Sequence, residues 1–512
     1  MTILKLDSLE PREYQKNIAK TASEKNTLVV LPTGMGKTLI SLLVTAERLE
    51  RYPDNKILIM APTRPLNAQH KKTFEDFTTV PENEIILLTG KVRPEDRIEL
   101  YKKAKIVIAT PQTIEKDLEN NRINLDDFSF IVFDEAHRAV KEYSYPYVAK
   151  KFRIQSKNPL ILGLTASPGA TQEKIQEICD NLFIKNVEIR SESDLDVEKY
   201  IQPVEHENIY VEIPGEFKKT KMLLEEVLKD DIYWLKEHHY TFTYKPTKKM
   251  LLDTQRKVIA NYMHGSKNFG AFWAIMHVAG AIKILHAVEL LETQGIKFLY
   301  DFLKKLEKSK KKTDTRLFKD PRMREAVKLS EELAISGIEH PKLGKVVEVV
   351  KDLLRTKPDG RIIIFANFRS TVDKINQLLK DNGVKSDILI GQAIKEGKGL
   401  TQQQQVETLR RFSNNEFNVL CGTQVIEEGL DIGGGIDYAV FYEAVASEIR
   451  AIQRRGRVGR LSAGKVIFLI TKDTRDEAYY YASIRKEKKM KGMLYRMKEK
   501  GIKKKGNLLD WV

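Results

Sequence analysis

Short β-branched runs recur along this chain with just enough residues between them for a helix, and that spacing constrains the fold more than any other feature. "TLVVL", "KILIMA", "EIILLTG", "KIVIAT", "FIVFD" and "LILGLTA" fall between residue 25 and about 190. Strands separated by helices cannot pair as tight hairpins; they run parallel, and the crossing helices cover both faces of the sheet. The rhythm returns from about 336 to 475 in "RIIIFA", "KSDILI", "FNVLCGT", "YAVFYE" and "KVIFLI". Two α/β domains are therefore predicted. Between about 215 and 335 the alternation fades, and segments such as "FWAIMHVAGAIKILHAVELLETQGIKFLYDFLKKL" show helical periodicity, which predicts an inserted helical domain. The division is 1–200 for the first α/β domain, 201–335 for the insert, 336–484 for the second α/β domain and 485–512 for a basic tail, a charged helix with a short flexible end.

The first strand runs into "LPTGMGKT", residues 31 to 38, and then into "TLISLLVTAERLE", which has helical spacing. A phosphate loop asks for Gly, four residues, then Gly-Lys-Ser/Thr, because successive backbone N–H groups wrap phosphate oxygens at a helix N-terminus. Leu31 stands where the first glycine belongs. Thr33, Gly34, Met35 and Gly36 form the loop, Lys37 is the candidate for the terminal phosphates, and the Thr38 hydroxyl is the candidate magnesium ligand. An ordinary strand-to-helix turn containing glycine has the same local look, so the loop alone does not decide.

"FSFIVF" ends in Asp134-Glu135-Ala136-His137. Carboxylates at the C-terminal end of a parallel strand face the crevice where such sheets bind ligands. Asp134 is placed to hold magnesium and Glu135 to orient or deprotonate a water attacking a γ-phosphate. Together with the upstream loop, this predicts nucleotide hydrolysis. "LGLTASPG" brings Thr165 and Ser167 directly after another strand, where their hydroxyls can bridge nucleotide and substrate sites. In the second half "IQRRGRVGR" packs Arg454, Arg455, Arg457 and Arg460 within seven residues, a density that calls for a facing anion.

The net charge of +16 is concentrated. Residues 304–324 carry ten Lys/Arg against three acidic residues, and residues 485–505 carry eleven against two, which together make up the whole surplus. A polyanion is the natural partner, since each neutralised phosphate releases counterions; a solvated lysine-rich face is the plain alternative. Two distant cysteines, Cys179 and Cys421, exclude a disulfide framework and suit a reducing interior. The opening "MTILKLDSLEPREYQ" lacks a basic region followed by a long apolar core, and no apolar run looks long enough to span a membrane. An intracellular, nucleoid-associated protein with no membrane partner is expected.

In this order the motifs resemble those of a superfamily 2 helicase, over nearly the whole chain. "PREYQ" is similar to the adenine-reading motif, bringing forward Arg12 and Gln15; "LPTGMGKT", "FDEAH" and "LTASP" resemble motifs I, II and III, with His137, Thr165 and Ser167 as coupling residues. "APTRPLNAQH" and "ATPQT" resemble backbone-contacting segments, which implicates Arg64 and Thr110. "IIIFANFRS", "CGTQVIEEGLDI" and "QRRGRVGR" resemble motifs IV, V and VI, implicating Thr423 on the strand, Gly429 and Asp431 in linking ATP to it, and Gln453, Arg457 and Arg460 at the phosphates. Gln453 replaces the histidine of DEAD-box members. The resemblance implies two RecA-like domains, ATP and magnesium.

The insert, with "HAVELLETQGI", together with "FYEAVASEIRAIQRRGRVGR" and "TRDEAYYYASIRKEKKM", narrows the resemblance to the archaeal Hef helicases and the Fanconi-anaemia M translocases. It implies an ATP-dependent DNA helicase or translocase on forked or branched DNA, generally 3′ to 5′, with the insert gripping the branch; Lys310, Lys311 and Lys312 are its candidate contacts. No nuclease signature is found, so nuclease activity is not expected. Two competitors remain: an RNA-stimulated ATPase of the innate-immune-sensor type, and a clamp-recruited DNA-binding scaffold. The last rests on "KGNLLDWV", residues 505–512, whose Leu508, Trp511 and Val512 resemble a degenerate sliding-clamp peptide, unless Trp511 folds back onto the second domain.

Overall fold

In the computed structural model the chain is described for residues 3–5, 10–140, 142–169, 171–192, 194–200, 204–244, 247–264, 269–391, 399–423, 435–443 and 464–500. The first sheet contains β1 (Thr27–Val30), β2 (Lys56–Met60), β3 (Ile85–Leu88), β4 (Ile106–Ala109), β5 (Phe128–Asp134), β6 (Leu160–Thr165) and β7 (Asn186–Ile189). All its pairings are parallel, in the order β3-β4-β2-β5-β6-β1-β7. Burial on both faces is why these strands read as continuous apolar runs. Along β5, Phe130 and Val132 enter the core under one face while Ile131 and Phe133 enter the other.

The second sheet contains β8 (Val204–Val211), β9 (Ile362–Phe365), β10 (Ser386–Leu389), β11 (Val419–Gly422), β12 (Tyr438–Phe441) and β13 (Gly464–Thr471), in the order β10-β11-β9-β12-β13-β8, again parallel. One strand departs from the sequence division. β8 lies within the span 201–335 given to the insert, yet it pairs with β13 along its whole length. Its sequence, "VEHENIYV", is an edge strand with charges on its open side, so it lacks the apolar run of its neighbours. Lys465 on β13 reaches Glu205 at 3.1 Å and Glu207 at 2.8 Å across that edge.

Between Gly215 and Ile335 every described secondary-structure element is a helix. Helix Phe269–Thr293 forms the axis of this bundle; at 25 residues it is long and apolar enough to cross a membrane, contrary to the sequence expectation, but 61% of its most apolar stretch is buried among the neighbouring helices. Helix Gly215–Glu237 and helix Ile296–Glu307 supply Leu224, Leu228, Leu299 and Leu303 to the same core.

Buried charges gather where the bundle meets the second domain. The Lys342 ammonium, fully buried, donates to Tyr442 O at 2.8 Å and pairs with Asp476, whose carboxylate also accepts from Thr471 N at 2.9 Å. Glu292, near the end of the axial helix, pairs with Lys221 at 2.7 Å and accepts from Arg475 N at 3.1 Å. Burial, with Lys342 nearby, pushes the His340 pKa down to about 3. The ring is therefore neutral: Nε2 donates to Glu292 O at 3.0 Å while Nδ1 accepts from Lys342 N at 3.3 Å.

The helix expected in the basic stretch after residue 485 begins earlier and packs more closely than the sequence division implies. Helix Arg475–Lys500 runs unbroken through that boundary. It starts on the second sheet, with the Tyr480 ring 5.0 Å from Phe468, and ends on the first domain, burying Met490, Met493, Leu494 and Met497 in its core. Lys498 pairs with Glu188 of β7 at 3.1 Å. The apolar positions i, i+3, i+4 and i+7 were hidden among lysines. Residues 501–512, including the clamp-like peptide, lie outside the described residues.

Asp476→Asn leaves the buried Lys342 without its counter-charge, and breaking such a pair costs about 3–5 kcal/mol. Urea unfolding should show that loss; an unshifted midpoint would refute the stabilising role of the pair.

Candidate nucleotide and nucleic-acid site

The loop between β1 and helix Lys37–Arg51 takes its shape from two left-handed glycines, Gly34 at φ 90° and Gly36 at φ 72°. A Cβ on Gly36 would overlap the Gln15 amide. Leu31, the departure from the loop pattern, continues the sheet: its N–H donates to Thr165 O at 3.1 Å and its side chain is buried in the core. The Lys37 ammonium donates to Leu31 O at 3.0 Å, and Thr38 sits half-buried beside it at the helix start. Thr33 is half-buried at the loop's outer turn.

Gln15 and its neighbour brace this loop. The Gln15 amide donates to Met35 O at 3.2 Å and the Tyr14 hydroxyl donates to the same carbonyl at 2.9 Å. Gln15 Oε1 accepts from Arg12 N at 2.8 Å, and the Arg12 guanidinium lies 5.1 Å from the centre of the Tyr200 ring. Arg12 and Gln15 thus stand at the loop, and Tyr200 joins them without having been singled out in the sequence.

Asp134 ends β5 nearly buried. Burial alone would raise its pKa, but His70 at 2.9 Å, the charge of Lys37 and the Glu135 N–H at 2.9 Å outweigh it and hold the carboxyl below its ordinary value. His70 was missed by the sequence reading although it lies in the quoted "APTRPLNAQH". The signal available was Asn67 and His70 three residues apart, both buried on one face of helix Arg64–Phe77. Asn67 fastens the start of that helix, donating to Ala61 O at 2.7 Å and Thr63 O at 2.8 Å. The Tyr145 hydroxyl, also missed, lies 2.6 Å from Asp134 O and 3.1 Å from Met60 O, tying the ends of β5 and β2.

Glu135 follows at φ 51°, a left-handed conformation unusual for a residue with a side chain and typical of strained functional positions. Its carboxylate lies 3.2 Å from His137 Nδ1, and the same nitrogen is 3.2 Å from the Thr165 hydroxyl. Thr165 Oγ1 accepts from Ser167 N at 3.1 Å, and Ser167 Oγ donates to Met490 Sδ at 3.0 Å. The coupling candidates therefore form one connected path from Glu135 to the C-terminal helix.

Along the same sheet edge, Arg64 is exposed at the start of its helix after β2, and Thr110 opens helix Pro111–Glu119 after β4, its hydroxyl 2.8 Å from that of Thr113. Thr423 follows β11 in the second domain, its N–H donating to Leu389 O at 3.3 Å. In the insert, Lys310, Lys311 and Lys312 are all exposed, whereas Arg316 pairs with Asp231 at 2.8 Å and Lys304 with Glu307 at 3.3 Å. Gly429, Asp431, Gln453, Arg454, Arg455, Arg457 and Arg460 lie outside the described residues.

Known proteins repeat this arrangement. The DEAD/DEAH box helicase model matches residues 12–175, the helicase conserved C-terminal domain matches 345–462, and a helical-bundle model named for an ATP-dependent RNA helicase matches 216–336. The crystal structure of the Pyrococcus furiosus Hef helicase domain is 42% identical, with a TM-score of 0.73, and the match covers 94% of this chain and 100% of that one. This chain belongs to the Hef and Fanconi-anaemia M family of superfamily 2 helicases. Its two α/β domains are the RecA-like pair of that family. A Methanocaldococcus jannaschii protein, named provisionally as an ATP-dependent RNA helicase, is 46% identical over 97% of this chain and 62% of its own length. The ATP-dependent DNA helicase fml1 of Schizosaccharomyces pombe is 33% identical over 90% of this chain and 57% of its own length. This helicase chain thus spans less than two thirds of these curated relatives.

Gly36→Ala tests the loop geometry. A left-handed alanine costs about 1–2 kcal/mol, and the new methyl must displace Gln15. A urea midpoint equal to wild type would show that the loop relaxes without penalty.

Proposed function

We propose that this chain is an ATP-driven motor on forked or branched DNA, moving 3′ to 5′ and serving the repair of stalled replication forks. The observation that carries the reading is the connected edge of the first sheet, where Arg64 and Thr110 stand beside Asp134, Glu135, Lys37 and Thr38. ATP is the substrate, and Lys37 positions its terminal phosphates as a fixed cation. Glu135 orients the attacking water and takes its proton, held in place by its strained backbone and by His137. Arg457 and Arg460, with Gln453, approach the phosphates from the second domain.

The donor set suits magnesium. Asp134, kept ionised by His70, and the Thr38 hydroxyl would hold the ion, and no cluster of three or more His, Cys, Asp or Glu suited to a metal occurs among the described residues. Magnesium is commonly bound in this sparse way, through one or two carboxylates plus phosphates and water, and it supplies charge that offsets the phosphates. Asn67 and His70 lie on the helix that begins with Arg64, so a change at the nucleotide is felt at the nucleic-acid strand through one rigid element. Contacts made mainly to phosphate and sugar carry little sequence preference, which leaves recognition of the junction to shape and to the insert.

The RNA-helicase names of one relative and of the insert model favour a second reading, stimulation by RNA. Phosphate release measured with forked DNA, linear duplex DNA, single strands and duplex RNA decides between them; stronger stimulation by duplex RNA than by forks would overturn the DNA reading.

Lys37→Ala should abolish nucleic-acid-stimulated hydrolysis while leaving DNA binding largely intact, and Glu135→Gln should retain ATP and stay closed on DNA. Wild-type turnover in either variant rejects the assignment of these two residues.

Substituting Lys310, Lys311 and Lys312 by glutamine should weaken fork binding and lower the slope of log affinity against log salt by roughly one unit for each phosphate left without its lysine. Basal hydrolysis should not change. A slope equal to wild type would assign these lysines to solvent alone.

A further inference from the structure

We propose that the insert carries a ledge on which unpaired nucleotides stack, an inference that rests on the nucleic-acid reading above. Six rings form a continuous ribbon across two helices. Phe269 and Phe272 lie 5.9 and 6.4 Å from Trp273, which lies 5.9 Å from His277. His277 stacks on Trp234 at 4.3 Å with 11° between planes, and Trp234 stacks on His238 at 3.9 Å and 16°. Four of the rings occupy positions i, i+3, i+4 and i+8 at the start of helix Phe269–Thr293, and the other two end helix Gly215–Glu237 or follow it.

Rings that merely fill a core are fully buried, and none of these is. Phe269 is 77% exposed, His238 is exposed and the other four are partly open, while Ala281, Ile284 and Val288 of the same axial helix are fully buried. The ribbon therefore runs along the solvent boundary of the bundle. Its planes are pinned from below: His277 Nδ1 meets Asp231 at 2.7 Å, and Arg316 neutralises that carboxylate at 2.8 Å. The negative charge beside the ribbon is thereby cancelled. At one end the Lys312 ammonium lies 5.3 Å from the Phe272 ring centre, next to exposed Lys310 and Lys311. None of these three lysines has an acidic partner among the described residues.

Aromatic faces bordered by cations are what a single strand requires: each base has a π-face that stacks without sequence preference, and each linking phosphate meets a lysine. Bases inside a duplex are already stacked on one another and present no free face. The ledge accordingly selects the unpaired nucleotides that a fork, gap or tail possesses and an intact duplex lacks. It separates two contributions within the insert, charge from the lysines and stacking from the rings.

The test uses the full chain with a tailed fork and a blunt duplex of equal length. Phe269→Ala and Trp273→Ala should each weaken fork binding by about five-fold or more, given about 1–3 kcal/mol per stacked base. Duplex affinity and the salt slope should stay as in wild type. Trp234 and Trp273 are two of only three tryptophans, so in a Trp511→Phe background oligothymidine should quench fluorescence arising from the ribbon alone. Phe269 is exposed enough that its removal leaves the melting temperature unchanged, which keeps the test valid if Trp273→Ala fails to fold. Equal fork binding by the ring variants and wild type, or equal weakening on fork and duplex, overturns the ledge while sparing the nucleic-acid reading. Failure of wild type to bind any nucleic acid overturns the reading beneath it instead, whereas a ribbon that captures only protein would appear as equal fork binding by the ring variants and wild type.

Discussion

Every strand of the first sheet points the same way, and that constraint decides which residues can be neighbours. Parallel strands send all their C-terminal loops out of one edge, so the strand order becomes the order of the chemistry. From one side the edge presents the loop after β3, Thr110, Arg64, Asp134 with Glu135, Thr165 with Ser167, and then Lys37. Asp134 occupies the middle strand of the seven. His70, two turns into the helix that Arg64 begins, closes the distance by gripping Asp134 from the adjoining strand's connection. Any shift of that helix is communicated to the carboxylate through a 2.9 Å contact rather than through solvent.

Two left-handed residues flank this centre, and they are stabilised differently. Gly36 has no side chain to obstruct it, and the Gln15 amide occupies the space where a side chain would go. Glu135 does have one, and a left-handed residue of that kind is disfavoured by about 1–2 kcal/mol. The Asp134 carboxylate, accepting from Glu135 N, and the closing turn from Arg138 N to Glu135 O at 3.0 Å hold it there. Strain of this sort keeps a side chain aimed before the substrate arrives, so little reorganisation is left for the reacting complex.

The architecture was readable where burial is two-sided. β1, β2, β4, β5 and β6 announce themselves as apolar runs because helices cover both faces, and the loop and Asp-Glu-Ala-His tetrapeptide follow at strand ends where chemistry is expected. β8 was not readable as a strand, since an edge strand is free to carry Glu205, His206 and Glu207. His70 was hidden for a different reason: a buried histidine acquires meaning only from the carboxylate it meets, and that carboxylate is 64 residues away in the chain. Met490 and Met493 were masked by the lysines around them, so a helix that joins both domains read as the charged helix of a basic tail. The helical periodicity of the insert was legible, but which of its rings stay open to solvent was not, since exposure depends on the neighbouring helices.

The insert enters from β8 and leaves through His340 and Lys342, so both of its attachments belong to the second domain. Its axial helix is fixed at the Glu292 end and extends 25 residues, about 37 Å, to Phe269. That makes it an oar pivoted on the second domain. A swing of about 5° carries the tip through about 3 Å, close to the ~3.4 Å rise of one nucleotide along a strand. On the ledge proposed above, a small rotation of one domain against the other is therefore enough to pass the aromatic tip from one base to the next.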